Sequence, residues 1–510
     1  MKHLVYVCLF ISAIFAYSCS DELLDVSPSS RIAKEVIFEN PEGAQIALNG
    51  IYRALFANGW SDSWSAENPG MMATTLVKDL QGEDHLMQGQ GNGWFYYDYA
   101  FWTDGDYTTT SGRQYAQWNF YYTVIAQANY VIAEEEKMLT FGVTGKNVIA
   151  QAYALRGLAY TALYEWFCQG NYAANSDKPG VPIYTEPTTT TSPSQPRGTV
   201  EQVFIRINAD FEKSVELFEA AAGVKQAHPS HLDVYATYLL WARVALIQEN
   251  WPDAGKYAEA ALDKAQLKRV ASLTELGNFN NCRVADVLWG FEVIVSQSGP
   301  YGPYLSHMDP EGGYGSACLQ SIDAWLWNNI PDTDARKKTW WGWTNPETES
   351  SDSFVQVKFR FSSLATSLGD LIYLRAEEAL LIAAEALCRQ DLYSDARELL
   401  LELGENRDSN YAVRLAAFTD DKTYKTNTHG ALTTLMDEIL FQRRVELWSE
   451  GLGRAFDLRR LNLGYNRDYI ESNHTAMLSM DPGDVNFVTL IPQKEFDSND
   501  FFTVADQNPR

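Results

Sequence analysis

The sequence predicts a mainly α-helical fold, in which tetratricopeptide-like helix pairs stack as an α-α superhelix and long loop-rich insertions interrupt them. Three observations lead there. Apolar residues recur at three- and four-residue spacing over several long stretches, the pattern of amphipathic helices. One helix–turn–helix pattern occurs twice. Residues 234–264 (VYATYLLWARVALIQENWPDAGKYAEAALDK) and 376–406 (AEEALLIAAEALCRQDLYSDARELLLELGEN) align at an offset of 142, which pairs Ala242 with Ala384, Trp251 with Tyr393, Asp253 with Asp395 and Ala254 with Ala396. Finally, stretches 58–111 and 278–363 break the helical pattern with Gly, Asn, Asp and Pro.

Residues 1–18 read as a secretory signal: Lys2 and His3, an apolar run from Leu4 to Phe15, and the small residue Ser18 before Cys19. The run is too short for a stable membrane-spanning helix. Ala16-Tyr17-Ser18-Cys19 resembles a bacterial lipobox, so Cys19 is the expected lipidation site, residues 19–40 a lipid-anchored tether and residues 41–510 a single domain. More than one acyl chain on Cys19 anchors a protein without a span. Residues 41–57 are the first predicted helix, with Asn40 as N-cap ahead of Pro41. The spacing predicts further helices over 113–138, with Tyr122, Ile125, Asn129 and Ile132, and over 147–167, with Ala152, Ala154, Arg156, Tyr160 and Trp166. Alanines at helical spacing let helices approach closely, so antiparallel pairs follow. Pairs at 113–167 and 199–247 add units to the solenoid, and the scaffold is expected at about 41–57, 113–264 and 370–461.

The stretch 435–461 (LMDEILFQRRVELWSEGLGRAFDLRRL) carries Leu435, Ile439, Leu440, Val445, Leu447 and Trp448 at helical spacing, and reads as a helix up to Glu450 with Gly451 as its stop. Arg443, Glu446, Glu450 and Arg454 follow at intervals of three and four, a ladder of both signs. The interleaved Leu447, Trp448, Phe456 and Leu458 need packing partners, which favours a covered, structural charge network over a solvated face. A catalytic carboxylate pair is disfavoured, because flanking arginines lower a carboxylate pKa whereas a general acid needs it raised.

A net charge of −26 makes nucleic acid an improbable partner, since phosphate binding depends on clustered Lys and Arg. Cys168, Cys282, Cys318 and Cys388 are widely spaced, without C-x-x-C or H-E-x-x-H, so neither metal site nor cofactor is indicated. Cys168 and Cys388 fall in helical patterns; a Cys282–Cys318 bridge is open to an exported protein.

Gln442-Arg443-Arg444, Glu446-Leu447, Glu450-Gly451, Phe456-Asp457-Leu458 and Arg460 resemble the C-terminal signature of the SusD/RagB family of Bacteroidetes outer-membrane lipoproteins. Gln442 stands where the family usually has Glu, and the Gly451–Phe456 segment is one residue longer than the common form. Arg156 and Tyr160 with Val181-Pro182-Ile183, Pro196-Arg197-Gly198-Thr199-Val200 with Asp210, Ala242-Arg243-Val244, Leu374-Arg375-Ala376-Glu377 with Ala383-Ala384-Glu385-Ala386, LIPQKE at 490–495 and Gln507-Asn508-Pro509 resemble further family segments, in order along the chain. Ser20-Asp21-Glu22 resembles the family's acidic surface-export signal, and Leu23-Leu24-Asp25-Val26 with Pro28 its opening motif. The resemblance implies a surface-exposed outer-membrane lipoprotein that captures oligosaccharide or polysaccharide and delivers it to a SusC-like TonB-dependent transporter, with no bond cleavage.

Aromatic residues crowd the two stretches that break the helical pattern. Flat rings suit the C–H faces of sugars while neighbouring polar groups bond the hydroxyls, and binding residues concentrate on loops carried by rigid scaffolds. Trp289 lies in a strand-like run, Trp325 and Trp327 follow Ile322 in a short helix, and Phe95 faces inward; these are assigned to packing, as is common for aromatics beneath a loop. The candidate glycan-binding residues are Trp94, Tyr96, Tyr97, Trp102, Tyr301, Tyr304, Trp341 and Trp343. In the resembling family the aromatic arc comes from these two regions. Two rival functions stand: a glycoside hydrolase using two carboxylates among Asp79, Glu83, Asp84, Asp98 and Asp104, and a tetratricopeptide-type binder of peptide or protein cargo.

Overall fold

The computed structural model describes residues 34–58, 68–91, 94–101, 108–189, 191–222, 228–264, 266–425 and 429–510. Helix α1 (Pro41–Phe56) starts where the Asn40 side chain accepts the Gly43 N–H at 2.9 Å, and it buries Ala44, Leu48, Ile51, Tyr52 and Leu55 along one stripe. Helix α2 (Met72–Leu80) lies inside stretch 58–111, whose composition reads as loop, and is buried along its whole length. Helix α3 (Gly112–Ile132) is shorter than the predicted 113–138; the remainder forms a separate turn, Glu135–Leu139. Helices α4 (Val143–Phe167) and α5 (Val200–Ala220) pack along each other, with the Phe211 ring against Gly157. The Arg156 guanidinium ties α3, α4 and α5 together, donating to Asp210 at 2.6 and 2.9 Å and to Asn129 at 2.7 Å. All three residues are buried, so this is a fully paired interior cation.

Helices α6 (Val234–Ile247) and α7 (Trp251–Leu262) form one pair, α8 (Ala376–Arg389) and α9 (Tyr393–Gly404) another. Each boundary of the second pair falls 142 residues after its counterpart in the first, the offset of the sequence repeat. Helix α7 packs on α8, so pairs far apart in sequence are consecutive in the stack. Helices α10 (Leu435–Glu446) and α11 (Arg454–Arg460) complete the scaffold; α10 ends four residues before the predicted Glu450.

The strands are short. β1 is His85–Met87, β2 Pro179–Pro182, β3 Arg197–Thr199, β4 Val287–Phe291, β5 Gln320–Ile322, β6 Trp341–Thr344, β7 Ser351–Gln356 and β8 Leu371–Arg375. β2 pairs with β3 and β4 with β8, both antiparallel. The sheet of order β1-β5-β7-β6 joins the two interruptions of the helical pattern: His85 lies opposite Ile322, Ser321 opposite Val355, and Trp343 opposite Asp352.

The charge ladder of stretch 435–461 is buried, as the interleaved apolar residues require, but most of its partners come from elsewhere in the chain. Glu446 sits among Arg336, Arg375 and Arg407 at 2.9, 3.2 and 2.9 Å. Glu450 bonds Lys358 at 2.5 Å and Arg375 at 2.7 Å. Arg444 holds Asp84 at 2.5 Å, Arg454 holds Glu83 at 2.9 Å, and Arg443 reaches Asp457 at 3.2 Å. Burial opposes ionisation of Glu446, yet Arg407 and Arg375 keep its carboxyl well below the usual range. Cys282 and Cys318, open to pairing from spacing alone, are both free and buried.

Candidate functional site

The pairing of β1 with β5 places the chain after β1 beside the chain before β5. Gln88 N–H donates to Leu319 O at 3.0 Å, its side-chain amide reaches Asp352 on β7 at 2.6 Å, and the Cys318 thiol meets the Gly89 carbonyl. Just beyond, Trp94 lies edge-on to Tyr314, with ring centroids 5.9 Å apart, and Tyr301 tilts against the same Tyr314 at 5.0 Å. One aromatic platform therefore draws its rings from both insertions.

Local chemistry fixes each ring. Phe95 takes φ 62°, a left-handed conformation uncommon for a bulky residue, and buries its own ring under the Arg113 guanidinium and against the His307 edge. Its neighbours Trp94 and Tyr96 are thereby left half-buried at the surface. Ser306 donates to Pro300 O at 2.6 Å and accepts from Tyr314 N–H at 3.4 Å, stapling the Tyr301 and Tyr314 segments together. Gly313, at φ 50°, permits this approach; a Cβ there would lie 2.0 Å from the Ser306 hydroxyl and 2.3 Å from Pro300 O. His307 stacks on Tyr314 at 5.0 Å, and burial raises the Tyr314 phenol above its ordinary pKa, so it stays neutral.

The predicted aromatics divide by burial. Tyr301 is 62% exposed, and Trp94, which shares Tyr314 with it, is half-buried, as are Tyr96 and Tyr97. Tyr96 and Tyr97 start the one-turn helix Tyr96–Ala100 edge-on to each other, and Tyr97 accepts from the Gln90 amide at 2.8 Å. Trp343 is half-buried on β6 across from Asp352, in the same sheet but outside the ring contacts of the platform. Tyr304 and Trp341 are each 1% exposed and belong to the core rather than to a ligand surface. The Tyr304 hydroxyl bonds Ser449 at 2.9 Å beneath the site, and the Trp341 ring packs on Trp340 and Trp448. Trp102, Cys19 and Asp104 lie outside the described residues. Phe95 and Trp289 are buried, and Trp325 and Trp327 pack against the core, as their contexts imply. Tyr314, central to the platform, was missed although its Gly-Gly-Tyr-Gly context carries the same signal as the residues chosen.

The carboxylates offered by composition are occupied. Asp79 bonds His85 at 2.8 Å, Glu83 pairs with Arg454, Asp84 with Arg444, and Asp98 with Arg113 at 2.8 Å; all four are buried. Burial would raise Glu83, but Arg454 and Arg444 hold it down to about 2, while burial prevails at Asp84 and lifts it to about 6. Asp79, Glu83 and Asp84 hold the chain at β1 to α10 and α11, and Asp98 holds the Tyr96–Ala100 turn to α3. Among the described residues no cluster of metal-ligating side chains occurs, and no helix is long and apolar enough to cross a membrane.

Residues 58–246 match the family model described as starch-binding, associating with outer membrane, and residues 328–504 match that of the SusD family. No curated protein matches. Among solved structures, a SusD-like carbohydrate binding protein from Bacteroides vulgatus is 22% identical, covering 92% of this chain and 98% of its own, with a TM-score of 0.74. A SusD superfamily protein from Bacteroides thetaiotaomicron is 20% identical over 92% and 100% of the two chains, with a TM-score of 0.71. Surface glycan-binding protein A from Bacteroides thetaiotaomicron, solved with laminarihexaose, is 17% identical over 92% and 99%, with a TM-score of 0.64.

Proposed function

Since the chain belongs to the SusD family, we propose that it binds oligosaccharide or polysaccharide at the cell surface and delivers it to a SusC-like TonB-dependent transporter in the outer membrane. The observation that carries this reading is the platform of Trp94, Tyr314 and Tyr301, assembled from two loop regions more than two hundred residues apart by the pairing of β1 with β5. Exposed and half-buried rings offer carbon faces to sugar rings, and the nearby Gln90 amide and tyrosine hydroxyls suit their hydroxyl groups. Tyr96 and Tyr97 extend the surface, and Trp343 and Trp102 are further candidates from the same two regions. A relative solved with laminarihexaose supports a glycan as the cargo class. Capture without cleavage agrees with the carboxylates near β1, each committed to a buried partner, so none is poised as a hydrolytic pair. Lipidation at Cys19 would tether the body to the outer membrane.

Binding of the purified protein to a panel of plant, host and microbial polysaccharides, repeated with Trp94→Ala and Tyr301→Ala, tests the reading. The expected outcome is retention by one glycan without release of sugar, weakened at least tenfold by either substitution, roughly the loss of 1.4 kcal/mol. Capture of a peptide with no glycan bound would sink it. Co-purification of a TonB-dependent barrel with the lipidated protein from native membranes tests the delivery step.

A further inference from the structure

Apart from the ring platform, α3, residues 184–189 and 192–194 and a short helix, Gln493–Ser498, enclose a groove of about 610 Å³, within the range of small-ligand sites. Tyr115 and Tyr122 line it half-buried from α3, with Trp118 between them 5% exposed as a mostly covered floor; the three follow at intervals of three and four residues, a row about 10 Å long on the helix axis. Tyr184 lines the other wall, edge-on to Tyr122 at 5.9 Å. The polar ends of Trp118, Tyr122 and Tyr184 are bonded into the protein. The Trp118 indole N–H donates to Glu495 at 3.0 Å, the Tyr122 hydroxyl donates to Pro182 O at 2.8 Å, and the Tyr184 hydroxyl accepts from Gln195 N–H at 3.2 Å. What remains for the groove is fixed carbon surface. The Lys494 ammonium already uses one face of it, 3.7 Å from the Tyr115 ring centroid.

Around this aromatic row stand Asn119, Thr188, Ser192, Ser194 and Asp497, groups that donate to and accept from hydroxyls. An aromatic floor with a polar rim matches a run of sugar rings, whose C–H faces pack on carbon while their hydroxyls bond outward. A peptide anchored by apolar side chains would instead need apolar holes, and the carboxylates of Glu495 and Asp497 repel an acidic polymer. We propose that this groove is a second carbohydrate-binding site, for neutral oligosaccharides, separate from the platform of Trp94, Tyr301 and Tyr314. The proposal rests on the reading that the protein binds glycans. Two sites on one body give a polysaccharide avidity that neither supplies alone.

Isothermal titration with laminarihexaose, maltohexaose, cellohexaose and xylohexaose tests it, using the wild type, a platform variant (Trp94→Ala with Tyr301→Ala) and a groove variant (Tyr115→Ala with Asn119→Ala). About two equivalents of one probe are expected on the wild type and about one on each variant, with affinity for the parent polysaccharide lowered at least tenfold in the groove variant. A single equivalent on the wild type, unchanged in the groove variant, overturns the proposal and leaves the glycan reading intact. Binding that survives in the platform variant and disappears in the groove variant supports the groove while removing the platform. No binding of any probe to any of the three proteins overturns both.

Discussion

Trp341 lies edge-on to Trp340 and Trp448 at centroid separations of 5.9 and 6.0 Å, while Tyr301 leans on Tyr314 with most of its ring in solvent. Trp341→Ala opens a core cavity and is expected to cost about 3–5 kcal/mol. Tyr301→Ala should stay within about 0.5 kcal/mol of wild type. Thermal unfolding of the two variants beside glycan titration separates stability from binding, and a stable, weakly binding Trp341→Ala would contradict the packing assigned here. Glu377 offers a pH test. Burial lifts its pKa from 4.5 to about 8, although Arg375 and Arg407 pull it down. A raised folded-state pKa stabilises fully below the unfolded value, and that contribution is lost as pH rises through the folded one. Urea midpoints of the wild type should therefore carry a loss between pH 4.5 and about 8 that is missing from the profile of Glu377→Gln.

At the scale of elements, helix starts are set by single side chains. Thr199 accepts the Gln202 N–H at 3.2 Å while the Gln202 amide oxygen accepts the Thr199 N–H at 2.9 Å, a reciprocal cap on α5. Thr199→Ala is expected to lower unfolding free energy by about 1 kcal/mol, read from denaturant midpoints at unchanged slope. Such local signals made the scaffold legible: the Asn40 cap, the strand at Trp289 and the starts of both repeated pairs, Val234 and Ala376, lie where spacing puts them, and each pair ends two residues short of its repeat. The insertions were legible in composition and not in geometry. Tyr304 and Trp341 share the glycine-rich context of Tyr301, and what separates them is a short helix tucked beneath Ser449 and the packing of Trp341 on the distant Trp448. Contacts between distant stretches leave no periodicity behind. The ladder of charges shows the same limit, since spacing suggested rungs within one helix whereas Arg336, Lys358, Arg375 and Arg407 arrive from elsewhere.

For the whole molecule, the C-terminal charges act as a clamp on both loop regions. Arg444 and Arg454 hold the residues that lead into β1, and Glu446 and Glu450 hold Arg336 and Lys358 of the second insertion. Glu446→Gln leaves three buried guanidinium groups short of a partner, with an expected loss of about 3–5 kcal/mol. Faster cleavage by trypsin within 278–363 should accompany the drop in denaturant midpoint; unchanged cleavage would mean that the insertion is held by its apolar contacts alone.

The second insertion leaves the stack after α7 and comes back at α8, where these helices touch, and the ladder of β4 on β8 pinches its base shut. Such an arrangement works like a bayonet mount. The chain from 292 to 370 is a fitting inserted between two flanges of a continuous barrel, and Arg336 and Lys358 are the pins that lock it. Another fitting of different length and ring content would seat in the same socket if it brought two cations to meet Glu446 and Glu450, so a change of ring content asks for a new fitting and no new frame.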